Sequence, residues 1–329
     1  MSGIGIVVAI LVTLVAVLIP WLPTSASDEM NRIEFVYWFA TVISIAIFSL
    51  VMAVIIYSVM TFRAPPEDES DGPSIHGHTG LEIAWTVVPA ILVISIGVLS
   101  AFVLSQNGKA GTNPLTIKVF AQQFAWRFEY PDNKGVKSYE LVMPVDRGIK
   151  FEMQSADVIH SFWIPDMGQK QDLVPGIITH LVITPNRTGT FTLVCTELCG
   201  LGHATMRTEA IVMTPAAFNK WLKGQTKATT SPNAAVSGAA VFKNQPCGSC
   251  HTLTAAGASG KVGPDLDKLP QWAAQAHQPL EQFIRTSITD PNAYTQPGYH
   301  KNVMPPFATL PKAQLDPLVQ YLIQSSKKG

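Results

Sequence analysis

The sequence predicts a multi-domain membrane protein with an N-terminal transmembrane helical hairpin, an all-β sandwich and an all-α C-terminal module. Three observations predict it. Two long uncharged apolar runs lie before residue 106, short apolar runs alternate with turn residues from Leu115 to Met213, and a C-x-x-C-H pentapeptide among helical patterns follows a polar stretch. At 329 residues the chain is too long for one ordinary domain, and its 47% hydrophobic content is concentrated near the start. The 23 basic residues balance the 23 acidic ones with no basic cluster or stripe, which sets nucleic acid aside.

The run from Phe35 to Phe62 carries no charge and exceeds the roughly 20 residues that span a bilayer as a helix. A second uncharged run, Ile83 to about Ser105, follows a polar loop rich in Pro and Gly, so the two form a hairpin within residues 28–106. The first run, Ile4 to Leu22, is shorter. Small residues at 25–27 suit a signal peptidase, but no Lys or Arg precedes the run, so residues 1–27 read equally as a cleaved signal or as a third helix. Arg63 ends the first certain helix, and the positive-inside rule puts everything after Gln106 outside. The expected location is a bacterial cell membrane, crossed more than once, with the soluble part periplasmic or extracellular.

Residues 107–223 hold the sandwich, expected to be antiparallel or a barrel: "LTIKVFAQQFAWRFEY", "YELVMPVD", "IKFEMQS", "VIHSFWIP", "THLVITP", "GTFTLVC" and "RTEAIVM" read as strands. "TPAAFNKWLKG" reads as a closing helix with Thr214 as its cap and Pro215 at its first position. Residues 224–236 have little to build a core and read as a linker. Residues 237–329 turn helical, with helices around 238–242, through "LEQFIRTSIT" and through "KAQLDPLVQYLIQSS".

"CTELCGLGHATM" places Cys195, Cys199, His203 and Met206 in one loop at the end of a strand. Zinc patterns need a second, distant ligand pair, and a thioether is a poor zinc ligand, whereas Cys, His and Met together favour copper in an electron-transfer site. A disulfide between the two cysteines would leave His203 and Met206 without a purpose. Two thiolates and one histidine exceed what a single blue-copper centre uses, and a second histidine would let the thiolates bridge two metals. His160, at another strand end, is the candidate, although a lone histidine there is more often structural.

At this point a resemblance becomes specific. "IHSFWIPDMGQKQDLVPG", "CTELCGLGHATM", "LEIAWTVVPAILV" and "QQFAWRFEY" resemble subunit II of the haem-copper cytochrome c oxidases over roughly residues 30–223. The resemblance implies a cupredoxin-like sandwich with a binuclear CuA centre. Cys195 and Cys199 would bridge two coppers, His160 and His203 would bind one each, and Met206 and the Glu197 carbonyl would be weak axial ligands. It also implies a possible magnesium ion shared with subunit I through the Glu197 side chain.

"CGSCH", with Cys247, Cys250 and His251, fits the attachment motif of c-type haem, in which two thioethers hold the group and the histidine ligates its iron. With "GPDL" at 263–266 and "VMPPF" at 303–307 the span resembles a class I cytochrome c, which implies Met304 as the sixth ligand, Pro264 orienting His251, and Phe242 packed on Tyr321. A His/Met pair leaves no open iron position, so such a module passes electrons.

A fused cytochrome c resembles the caa3-type oxidases, and the implied function follows. Electrons enter haem c, pass to CuA and leave for the haems of subunit I, where oxygen is reduced to water and protons are pumped. The expected partners are subunits I and III, membrane lipid, and a cytochrome or bc1-type complex as donor. Related enzymes with a separate donor carry an exposed tryptophan where this chain has Phe124, while Trp126 is kept; both are candidates for the point where electrons arrive. Glu82, at a helix start where an acid suits the dipole, would by resemblance mark a proton-channel entrance. His76 and His78 read as solvated loop residues. Three rivals are weaker. A free-standing tethered carrier would need one anchor only, a nitrous oxide reductase would need a histidine-rich propeller, and a quinol oxidase subunit should lack the copper ligands and "CGSCH".

Overall fold

In the computed structural model, residues 1–63, 65–67, 72, 74, 76–133, 135–230, 237–245, 247–308 and 310–326 are described. Residues 1–25 and 29–109 form a helical unit, and residues 26–28 with 110–329 form a second. The helical unit holds α1 (Ser2–Leu18), α2 (Asp28–Thr61) and α3 (Thr79–Asn107). At 1.5 Å per residue the 34 residues of α2 reach about 50 Å, beyond the ~30 Å hydrocarbon core. Large apolar side chains such as Phe35, Trp85, Ile91 and Val98 point outward, as lipid-facing helices require. Arg32 donates to Asn107 Oδ1 at 2.9 Å, which joins the start of α2 to the end of α3 and makes the pair antiparallel. The short helix α1 lies on α2, where a Cβ on Gly5 would sit 3.4 Å from Ala53 Cβ.

The second unit begins with β1 (Leu115–Gln122), β2 (Ala125–Tyr130), β3 (Val136–Ser138), β4 (Leu141–Pro144) and β5 (Ile149–Ser155). It continues with β6 (His160–Trp163), β7 (Lys170–Leu173), β8 (Thr179–Ile183), β9 (Gly189–Cys195) and β10 (Arg207–Met213). They form two five-stranded sheets, β3-β2-β1-β5-β8 and β4-β10-β9-β6-β7. Alternate residues of β1 and β2 are buried, and Trp126, Phe128, Tyr130, Phe151 and Phe162 fill the space between the sheets. A one-residue slip would turn Ile117 and Val119 to solvent, which fixes the register.

The antiparallel expectation needs a correction. β1 runs parallel to β5 and β4 parallel to β10. Period-two alternation shows which face of a strand is buried but is silent on the direction of its neighbour, and the strand order leaves these partners joined by long crossovers. The strands β3 and β7 were also outside the expected set. Residues 26–28 belong to this unit: Ala26 N–H donates to Asp166 O (2.8 Å) and Asp28 N–H to Thr184 O (3.0 Å), with Ala26 and Ser27 fully buried. Two of the small residues that suit a signal peptidase, Ala26 and Ser27, are therefore built into the β-domain.

The closing helix α4 (Pro215–Thr230) runs through residues 224–230, so that part of the expected linker is helical. No proline interrupts it before Pro232, and Gln, Lys and Ala suit a helix. Residues 231–236 lie outside the described residues. Beyond them come α5 (Gly238–Asn244), α6 (Cys247–Cys250), β11 (Thr252–Leu253), β12 (Ala258–Ser259), α7 (Leu269–Gln275), α8 (Leu280–Thr289) and α9 (Lys312–Ser325). α8 buries Phe283, Ile284 and Ile288 on one face, and α9 buries Leu315, Leu318, Val319 and Leu322. The Phe242 and Tyr321 rings pack at 6.0 Å between α5 and α9.

Candidate functional site

Sheet order brings the first cluster together. β9 lies between β6 and β10, so the start of β6 (His160), the end of β9 (Cys195) and the residue before β10 (Met206) are neighbours although 46 positions apart at most in the chain. Cys195 N–H donates to Met206 O (3.1 Å) and Thr196 N–H to Ser161 O (3.0 Å), closing the base of the loop. Gly200 sits at φ 128°, which side chains rarely adopt, and a short helical turn from His203 to Thr205 returns the loop to β10.

The donor atoms converge. Cys195 Sγ lies 3.8 Å from Cys199 Sγ, 3.9 Å from His160 Nδ1 and 3.2 Å from Glu197 O. Cys199 Sγ lies 3.6 Å from His203 Nδ1 and 3.8 Å from Met206 Sδ. The ligand atoms of His160, Cys195 and Cys199 all fall within 4.8 Å of one another. Two sulfurs each about 2.3 Å from one ion at a tetrahedral angle would be about 3.8 Å apart. A disulfide requires about 2.05 Å, and both cysteines are free. The residues therefore fit a metal site held by both thiolates. The Glu197 side chain is exposed.

Protonation follows from position. Burial acts to raise the Cys195 thiol, but bonds from His160 and from backbone and loop donors outweigh it and hold the pKa at about 6. Burial, and then the charge on Cys195, push Cys199 up to about 12. Burial acts to lower His160, and its bonds to Cys195 and Asp157 raise it on balance. Asp157 is kept low despite partial burial by the Gln123 N–H (2.7 Å) and by His160.

Two residues here were missed from sequence. Asp157 stands three positions before His160, a spacing that could have flagged it. Gln123 donates through its side chain to Cys199 O and through its backbone to Asp157, so it ties both halves of the cluster, and no pattern announces it. Trp126 packs edge-on to His160 (6.3 Å) and donates to Met206 O (3.4 Å). Neither Trp126 nor Phe124 is exposed, at 2% and 6%.

The second cluster surrounds an apolar cleft of about 310 Å³ lined by Cys247, Cys250, His251 and Met304. His251 Nδ1 lies 2.7 Å from Pro264 O. A carbonyl only accepts, so Nδ1 carries the proton and Nε2 is left as the ligating nitrogen. Burial lowers the His251 pKa, which keeps that nitrogen free of a proton. Both cysteines here are free thiols whose pKa burial raises. A Cβ on Gly263 would lie 2.4 Å from His251 Cε1, so glycine there lets the backbone flank the ring. Cleft, paired thiols, imidazole and thioether fit a covalently held haem.

Glu82 belongs to the helical unit, where its carboxylate accepts from the His78 N–H at 3.2 Å while His78 Nδ1 caps Leu81 N–H. Its observed role is that of a helix-start acid.

Comparison with known proteins agrees in order along the chain. The model of the cytochrome c oxidase subunit II transmembrane domain matches residues 15–103, that of the subunit II periplasmic domain matches residues 136–214, and that of cytochrome c matches residues 235–326. Cytochrome c oxidase subunit 2 of Alkalihalophilus pseudofirmus is 30% identical over 295 residues, covering 86% of this chain and 84% of that one. Cytochrome c oxidase subunit 2 of Bacillus sp. strain PS3 is 30% identical over 286 residues, covering 80% and 79%. Among solved structures, the periplasmic domain of subunit II of cytochrome oxidase of Bradyrhizobium japonicum is 31% identical, covers 36% of this chain and 98% of that one, and has a TM-score of 0.35.

Proposed function

Because the chain belongs to the cytochrome c oxidase subunit II family, and carries a cytochrome c domain at its C-terminal end, we propose that it relays electrons from haem c to a binuclear copper centre for an oxygen-reducing subunit I. The thiolates of Cys195 and Cys199 would hold the copper together with Nδ1 of His160 and His203, and the Met206 thioether and the Glu197 carbonyl would be its weaker donors. Cys247 and Cys250 would hold the haem, and His251 and Met304 would be its iron ligands. Bound there, both groups supply one-electron transfer. The single observation that carries the reading is the convergence of four donor groups of the predicted kinds on the Cys195–Cys199 pair.

The protein's own residues keep these sites rigid. Asp157 fixes the His160 tautomer, Pro264 fixes that of His251, and Gln123 anchors the loop at Cys199. Ligands locked by packing and hydrogen bonds change little between oxidation states, and small rearrangement favours fast transfer. The exposed Glu197 carboxylate is free to reach a magnesium ion shared with subunit I, and Glu82 stands at the mouth of a proton path into that subunit. Subunit III, the lipid bilayer, and a cytochrome or bc1-type donor complete the assembly, with the copper domain (107–223) and haem domain (237–329) outside the membrane.

Electron paramagnetic resonance with metal analysis of the purified, metal-loaded chain tests this. A seven-line mixed-valence signal at two coppers per chain is expected. A single-copper signal, or zinc alone, would overturn it.

A further inference from the structure

The first helix has the burial pattern of a packed helix. Ile4, Gly5, Val8, Ala9, Val12 and Ala16 are half-buried, a stripe at helical spacing, while Ile6, Ile10, Leu14 and Val17 on the opposite side are exposed. The stripe meets α2. A Cβ on Gly5 would lie 3.4 Å from Ala53 Cβ and 4.0 Å from Ser49 O, and Ser49 and Ala53 are themselves buried. Close approach at small residues is how helices associate in lipid. Because the start of α1 faces the later half of α2, the two run in opposite directions. The 17 residues of α1 reach about 26 Å, the lower end of what crosses a bilayer.

The far end of the same segment is part of the β-domain. Ser27 forms an antiparallel bridge with Pro185, and its hydroxyl donates to Met167 O at 3.0 Å. Besides the bonds from Ala26 and Asp28, Asn186 N–H donates to Ala26 O (3.1 Å) and Asn186 Nδ2 to Asp28 Oδ1 (3.1 Å). A signal peptidase reads small residues at the last position before its cut and two positions earlier. The sequence allows a cut after Ala26, with Thr24, or after Ser27, with Ser25. Both cuts remove Ala26 and its bonds to Asp166 and Asn186. The first also leaves a charged amine on Ser27, which is fully buried, and an unpaired buried charge is costly. The second removes the Ser27 hydroxyl as well.

We propose that residues 1–27 stay in the mature protein, with α1 as a third membrane helix antiparallel to α2 and Ala26–Asp28 as a strap that belongs to the β-domain. The chain then enters that domain twice, at residue 26 and again at residue 110. Packing at one end and strand-like pairing at the other both need the segment that a peptidase would discard. The proposal is independent of which metal the β-domain binds.

Mass spectrometry of the full chain purified from membranes tests both parts. Chemical labelling of free α-amines in the wild type should find no terminus at residues 25–29. In a variant carrying Gly5→Cys and Ala53→Cys, the 3.4 Å between Cβ positions is close to the separation of about 3.5–4.5 Å in disulfides, so mild oxidation should join the helices. Arg32 and Arg63 are the only sites for trypsin up to residue 63. Digestion should therefore release the peptide ending at Arg32 linked to the one ending at Arg63, and reduction should part them. A terminus at Ser27 or Asp28 in most of the protein, or an uncut chain that gives no linked pair, would overturn the proposal. If the double variant does not accumulate, the wild-type terminus still decides.

Discussion

His160 Nε2 lies 2.8 Å from Asp157 Oδ1, while the other nitrogen of the same ring faces Cys195 Sγ at 3.9 Å. A carboxylate only accepts, so Asp157 sets the tautomer and leaves the Nδ1 lone pair for a metal. Asp157→Ala should weaken copper binding about 10–100-fold, as loss of a partner behind a ligand usually does. Asp157→Asn, which can still accept, should recover most of it. Competition titration against a chromophoric chelator gives both values, and unchanged affinity in the alanine variant would remove Asp157 from this role.

Copper uptake should depend on pH in two regimes. Capture requires both thiolates, so any protons still bound must leave. With Cys195 held at about 6 and Cys199 pushed up to about 12, one thiol proton remains at neutral pH. Affinity should rise about tenfold per pH unit between about pH 7 and 10. As pH falls further, the proton of His160, whose pKa is raised, and then that of Cys195 must also leave, and the slope should steepen well beyond tenfold per unit. Apparent dissociation constants measured across pH check this, and a flat profile contradicts it.

Met304→Ala should leave the haem covalently attached and abolish its His/Met absorption spectrum. Gly263→Ala should perturb the opposite ligand, because its Cβ would stand 2.7 Å from His251 Nδ1 and force the ring off the Pro264 carbonyl. Absorption spectra of the two loaded variants separate the effects. A wild-type spectrum in Met304→Ala would remove that residue from the iron.

Tyr130 is buried between the sheets, where its hydroxyl donates to Val142 O (2.8 Å) and accepts from Val142 N–H (2.9 Å). Tyr130→Phe leaves both backbone groups without that partner and should cost about 1–3 kcal/mol. A lower urea midpoint at unchanged slope, followed by tryptophan fluorescence, is the expected result. An unmoved midpoint would show that water replaces the hydroxyl.

Much of the fold is legible along the chain because its causes are local. Alternation marks Ile149–Ser155, Gly189–Cys195 and Arg207–Met213 as strands, and the helical repeat marks Leu280–Thr289, with the ends the structure shows. The ligand types in "CTELCGLGHATM" likewise narrow the metal, since softness belongs to each side chain.

What the sequence by itself determined was which two segments are long and apolar enough to cross a membrane, which faces are buried, and which donor atoms each cluster contains. These are properties of composition and short-range period. Tertiary structure alone decided that β9 lies between β6 and β10, which brings His160 to Cys195. It also decided that β1 and β5 run parallel, that Asp157 and Gln123 support the cluster, and that Phe124 lines the haem cleft as a buried residue. Each of these depends on which distant strands and loops become neighbours. That choice is made by packing the whole core, and no local pattern in the chain records it.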